Sequence, residues 1–145
     1  QKLGITGKIT WKGAQSQTGV FEAYENSDLL IMPSIIATDG DRDGLPNVLM
    51  EAASKKVCCI ATDLPGITEF IRHDDTGWIV PSKNSRELTR SIISLSQDPA
   101  KRVRLAESAN KLLVRHFSHA ENVQDIIELL KSDLDTNEDV IQDSI

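Results

Sequence analysis

Apolar residues in this chain come either as short unbroken runs or at the spacing of a helix face. Leu29-Leu-Ile-Met32 is stopped by Pro33-Ser34, and Val57-Cys-Cys-Ile-Ala61 by Thr62-Asp63. Unbroken runs of this length predict strands buried on both faces of a parallel sheet. Trp78-Ile-Val80, stopped by Pro81, predicts a third strand, and the β-rich Ile9-Thr-Trp11, closed by Lys12-Gly13, an earlier one. Between the runs the spacing changes to three and four. Val20, Phe21 and Tyr24 share one helical face, and Val48, Leu49, Ala52 and Ala53 line a helix from Pro46, at the favoured first position, through Lys55. Leu64-Pro-Gly66 is a turn leading into a short helical pattern at Ile67, Phe70 and Ile71, and His73-Asp-Asp-Thr-Gly77 turns the chain back. Trp11, Tyr24 and Trp78 are expected to pack in the interior. For Trp11 the alternative is that the loop from Trp11 to Ser16, at a strand end, offers a face for a nucleobase.

Strand, helix, strand, short helix and strand at these spacings predict an α/β fold. It has a Rossmann-like parallel sheet flanked by helices on both faces and a helical C-terminal end. Three more helices follow. Asn84 with Glu87 caps one running to about Gln97, and Asp98-Pro99 starts the next, with Val103, Ala106, Leu112 and Leu113 as its apolar positions. Ser118 with Glu121 forms a capping box for the third. Beyond Ser132, the run Asp-Leu-Asp-Thr-Asn-Glu-Asp has acids and no base, so residues 1–132 are expected to form one domain and 133–145 a frayed, disordered acidic tail. No internal repeat or low-complexity linker interrupts the chain.

The 145 residues suffice for one ordinary domain, and 39% hydrophobic with 26% charged residues is the profile of a soluble globular one. A net charge of −6 argues against a nucleic-acid partner. No apolar run approaches the roughly 20 residues of a spanning helix. The start has no signal-peptide pattern and opens at Gln1 without a Met, so a piece of a longer protein is expected. Cys58 and Cys59 are adjacent, hence on opposite faces of a strand, which predicts buried filler in a reducing compartment rather than a bridge or a metal site. His73, His116 and His119 have no partner spacing for catalysis or metal binding, and are expected at loops or helix ends.

One stretch reads as a site: Asp39-Gly-Asp-Arg-Asp43-Gly-Leu-Pro-Asn-Val-Leu-Met-Glu51. Its Asp39-x-Asp41-x-Asp43-Gly44 start imitates a calcium loop, but the twelfth position is Met50 and the available acid, Glu51, comes one residue late. A phosphate-bearing ligand at the carboxyl edge of the sheet fits better. Gly44 allows close approach, and the amides of Asn47 and Val48, past Pro46, have no partner within the helix. Carboxylates repel a diphosphate, so Asp43 must face hydroxyls or a developing positive charge. Glu51, five residues past Pro46 and so about 7.5 Å along a helix axis from it, serves a different part of the ligand. A nucleotide sugar has that shape, with hydroxyls at both ends and a diphosphate between. Spacing alone equally suits a solvated turn in which Arg42 pairs locally and Glu51 is a surface residue.

Asp43-Gly-Leu-Pro-Asn-Val-Leu-Met-Glu51-Ala, Ile60-Ala-Thr-Asp63, Gly66-Ile-x-Glu69 and Thr76-Gly-Trp-Ile-Val-Pro81 occur in order. Over residues from about 3 to 117 they resemble the C-terminal, donor-binding domain of group 1, or family-four, retaining glycosyltransferases of GT-B architecture, in particular bacterial exopolysaccharide and colanic-acid types. The resemblance implies transfer of a hexosyl group from a UDP- or GDP-sugar to a glycan or lipid-linked acceptor held by an N-terminal domain. It implies no metal and no other cofactor. It implies that Asp43, the catalytic residue of the site, contacts and positions the transferred sugar, that Glu51 holds the ribose hydroxyls, and that the backbone from Gly44 through Leu45 and Pro46 to Asn47 meets the sugar and diphosphate. The loop from Trp11 to Gly13 would lie beside the base. A cytoplasmic location is implied, with room for peripheral contact at the inner face of the membrane in the full-length protein.

The chain departs from the family pattern in several places. Asp43 replaces a Glu, so Asp41 competes for its role; Lys55-Lys56 stand where small residues and Gly end the helix, Cys58 where Pro is usual, and Thr68 in place of another Pro. Lys at a left-handed helix end is expected to carry strain. The basic diphosphate clamp and the acceptor domain have no counterpart in the chain, so it is expected to be inactive alone. The alternative is a non-catalytic binding or interaction domain derived from the same fold.

Overall fold

The structure, a computed structural model, describes residues 4–36 and 44–116. The capping box at Ser118, the acidic tail and the aspartates at 39, 41 and 43 lie outside the described residues. At the centre is β2 (Cys58–Thr62), paired in parallel with β1 (Leu29–Met32) on one side and β3 (Trp78–Val80) on the other. Leu29 lies opposite Cys58 and Met32 opposite Ala61; Ile60 lies opposite Trp78 and Thr62 opposite Val80. All of β2 is buried, which is why its sequence shows no alternation.

The pleat of β2 divides the interior in two. Cys59 and Ala61 face a core with Tyr24 of α1 (Gln17–Glu25), Leu49 of α2 (Asn47–Ser54), and Ile67 and Phe70 of α3 (Pro65–Phe70). Cys58 and Ile60 face a second core with Leu95 of α4 (Ser85–Gln97) and Leu105 and Ala106 of α5 (Pro99–His116). Helices thus cover both faces, as expected. Both cysteines are free, and burial pushes the Cys59 thiol up to about 12 and the Cys58 thiol to about 11, the latter against the pull of Arg102.

Most helix starts follow from their caps. Ser16 Oγ accepts from the Gly19 amide, Asn84 Oδ1 from that of Glu87 and Asp98 Oδ1 from that of Lys101. Three sequence expectations fail in this part of the fold, those for Val103, for a strand at 9–11 and for Trp11. Val103 is 57% exposed, because the buried stripe of α5 runs through Leu105, Ala106 and Ala109 and Val103 lies about 120° around the axis from Ala109. Residues 9–11 form no strand: after a 3₁₀ turn at Thr6–Lys8 the chain runs extended from Ile9 without a ladder. Trp11, expected inside, is 89% exposed. The outer edge of β1 has no strand partner among the described residues, and extended backbone becomes a strand only when paired.

The turn before β3 is held from two sides. Buried Thr76 donates from Oγ1 to the Phe70 carbonyl at 2.6 Å and accepts from the Arg72 amide at 2.8 Å. Asp74, at φ 58°, is gripped by Arg104 and Lys101 of α5, and these cations hold its carboxyl below the usual carboxylate range. Trp78 donates from Nε1 to Ser91 Oγ at 3.0 Å, and the Lys101 ammonium sits 4.1 Å from its ring centroid. It ties β3 to α4 and α5, as its place in the sequence predicts. His73 is a loop residue whose Nδ1 accepts from the Ile79 amide at 3.2 Å.

Candidate functional site

The crossover from β1 to β2 carries the chain away from the carboxyl end of β1 and back through α2, so α2 begins at the edge where strand ends converge. Pro46 is the residue before the helix rather than its first: its ψ of 126° is extended, and the helix starts at Asn47. Proline has no side-chain acceptor, so among the described residues the first-turn amides at Asn47 and Val48 receive no cap of the kind that closes α1, α4 and α5. Asn47 is exposed, and Leu45 packs on the first core and anchors the loop end.

Gly44 is set by a neighbour 22 residues along the chain. A Cβ placed on Gly66, at the start of α3, would lie 2.4 Å from the carbonyl carbon of Gly44 and 2.5 Å from its oxygen. Only glycine permits that approach. The first turn of α3 is therefore a backstop for the segment Gly44–Pro46. The signal available in the sequence was Gly66 within Gly66-Ile-x-Glu69, one of the four matching segments.

Glu51, one turn into α2, is half-buried and faces α1. The Tyr24 hydroxyl donates to its Oε2 at 3.1 Å. Tyr24 is in the core as expected, but its hydroxyl reaches the candidate site, a role that apolar spacing does not reveal. Burial first, and the adjacent Glu51 second, push its phenol up to about 12. One turn further along α2, Lys55 pairs with Glu25 of α1 at 2.5 Å and lies 5.2 Å from the centroid of Phe21. The two helices are thus tied twice.

At its far end α2 closes as a Schellman motif. The Lys56 amide donates to Ala53 O at 3.1 Å and the Val57 amide to Ala52 O at 2.9 Å, with Lys56 at φ 55°. The expected lysine in a left-handed position is observed. Asp43, the sugar-contacting acid implied by the resemblance, lies outside the described residues, as does its competitor Asp41. The described structure therefore brings together Gly44, Leu45, Pro46, Asn47 and Glu51 but places neither aspartate.

Two cavities lie elsewhere on the surface, neither of them lined by Gly44 to Asn47 or by Glu51. One of about 200 Å³ opens at the ends of all three strands, between Pro33, Ile35, Thr62, Val80, Pro81 and Asn84, and Thr62 Oγ1 fixes its wall by donating to Ser34 O at 2.7 Å. The other, about 370 Å³ and more polar, runs beside α1 and is bordered by Lys12 and Gln15 of the loop expected beside a nucleobase. Among the described residues no cluster of three His, Cys, Asp or Glu side chains is placed to hold a metal, and no helix is long and apolar enough to cross a membrane.

Comparison with known proteins agrees with this fold. The family profile "Glycosyl transferases group 1" matches residues 1–112. The amylovoran biosynthesis glycosyltransferase AmsK of Erwinia amylovora is 28% identical over 119 residues, which is 82% of this chain and 29% of that protein. The putative colanic acid biosynthesis glycosyltransferase WcaL of Escherichia coli K12 is 34% identical over 73 residues, 50% of this chain and 18% of that protein. Among solved structures, Anabaena HepE in complex with UDP-glucose superposes with a TM-score of 0.77 at 22% identity, over 90% of this chain and 34% of that one. The chain thus spans about a third or less of each of these three proteins. With a parallel sheet covered on both faces and a profile match over most of its length, the chain belongs to the group 1 glycosyl transferases and has the Rossmann-like fold of their GT-B architecture.

Proposed function

We propose that this chain is the donor-binding part of a retaining glycosyltransferase that moves a hexosyl group from a UDP- or GDP-sugar to a glycan or lipid-linked acceptor in bacterial polysaccharide synthesis. The observation that carries the reading is the start of α2. There, uncapped amides at Asn47 and Val48 lie one turn before a carboxylate that is held on one oxygen. Amides suit the diphosphate, and the Glu51 carboxylate suits the ribose hydroxyls. The amylovoran and colanic acid relatives support the polysaccharide assignment, and the HepE complex supports a nucleotide-sugar donor.

On this reading Asp43 meets the transferred sugar. Departure of the nucleotide diphosphate leaves oxocarbenium-like character on that sugar, and the acceptor attacks from the same face. Electrostatic stabilisation of the leaving diphosphate assists the step, with no metal or other cofactor. The acceptor belongs to a second domain, so the 145-residue chain alone does not turn over donor.

The test is donor turnover and calorimetric titration of the full-length protein with UDP- and GDP-sugars. Asp43→Ala is expected to abolish most turnover, and Glu51→Ala to weaken donor binding. Parent-like turnover in both variants would overturn the assignment. Absence of binding to every nucleotide sugar would favour a non-catalytic interaction domain. A rise in melting temperature with calcium that EDTA reverses would favour a calcium loop instead.

A further inference from the structure

We propose that Tyr24 is a positioning residue for nucleotide recognition: its hydroxyl holds one oxygen of the Glu51 carboxylate and leaves the other directed to a vicinal diol of the ligand. The inference rests on the reading that Glu51 meets the ribose, and it adds the group that aims Glu51.

Tyr24 is the chain's single tyrosine and is 7% exposed. Its ring is wedged edge-on against Phe21, with centroids 6.2 Å apart at 63°, so the hydroxyl has a defined place. That hydroxyl donates to Oε2 of Glu51 at 3.1 Å across 27 residues of sequence. Among the described residues the Glu51 side chain has no other hydrogen bond and no ion pair. A phenol has one proton to donate and occupies one carboxylate oxygen, and the second keeps its lone pairs for a hydroxyl. A free Glu side chain would lose rotamer freedom on meeting a ligand, whereas one tethered in advance has lost part of it already.

Packing of α1 on α2 does not depend on this tether alone. Lys55 and Glu25 pair one turn further along, and the Tyr24 ring stays in the core if only its oxygen is removed. Tyr24→Phe therefore isolates the hydroxyl while keeping the fold.

The experiment is calorimetric titration of the full-length protein, as parent, Tyr24→Phe and Glu51→Ala, with UDP, GDP and their 2′-deoxy and 3′-deoxy analogues; circular dichroism melts verify folding. The parent is expected to prefer the ribonucleotide over the weaker deoxy analogue by about tenfold, equivalent to about 1.4 kcal/mol. In Tyr24→Phe the ribonucleotide weakens by a similar factor and the deoxy analogue changes little, so the ratio falls toward one. A purely structural tyrosine would weaken both alike and leave the ratio intact, which would overturn the inference. If Glu51→Ala keeps the parent ratio, or the parent binds neither nucleotide, the ribose reading of Glu51 falls and the inference with it. Loss of discrimination in Glu51→Ala but not in Tyr24→Phe overturns the inference alone.

Discussion

Replacing Lys56 by glycine should make this protein more stable, although it removes a charged residue and adds no contact. Lys56 closes α2 in the left-handed region at φ 55°, in the position of a Schellman motif that glycine ordinarily fills. An L-residue there loses about 1–2 kcal/mol to the contact between its Cβ and the backbone. Glycine removes that loss but carries about 0.5–1 kcal/mol of extra entropy in the unfolded chain. The Lys56 side chain is exposed, with no hydrogen bond or ion pair among the described residues, so its removal forfeits nothing further. The net gain is about 0.5–1 kcal/mol, which for a chain of this length raises the melting temperature by roughly 2–3 °C. Thermal unfolding followed at 222 nm measures it, with Lys56→Ala as the control. Alanine makes the same charge change and keeps the Cβ, so it should melt within about 1 °C of the parent. If alanine stabilises as much as glycine, charge rather than backbone strain is responsible; if glycine lowers the melting temperature, the strain argument is wrong.

Two other outcomes follow from particular contacts. Gly66→Ala puts a methyl 2.4 Å from the Gly44 carbonyl carbon, so α3 and the loop end must separate, and a loss of about 1–3 kcal/mol in urea unfolding is expected; parent-like stability would mean the two backbones are not in contact. The single tyrosine can be titrated by its absorbance at 295 nm, with an expected midpoint near 12 in place of the ordinary 10.0. Because the folded state binds that proton more tightly, the associated stability is fully present below pH 10 and is lost as pH rises toward 12. Glu51→Gln should lower the midpoint without restoring 10.0, since burial is the larger cause; a parent midpoint near 10 would place the phenol in water.

The sequence determined the parallel strands β1 to β3, the helices between them and, to within one residue, the start of α2, because local chemistry decides these. Unalternating runs such as Cys58–Thr62 suit only a strand covered on both sides, and Ser16, Asn84 and Asp98 cap helices through bonds that span three residues. Gly44 to Asn47 and Glu51 stood out for the same reason, as a helix start beside an acid. Only the tertiary structure decided which interior each side chain entered. Val103 and Ala109 look alike in an apolar pattern, yet one is 57% exposed and the other 1%, since a helix face acquires meaning only from what it packs on. Ile9 to Trp11 has the composition of a strand, and no local rule reports that among the described residues it forms no ladder with the open edge of β1. The same limit concealed the closest features of the site. The approach of Gly66 to Gly44 spans 22 residues of sequence and the reach of Tyr24 to Glu51 spans 27, so both arise from how α1, α2 and α3 pack rather than from any short-range pattern.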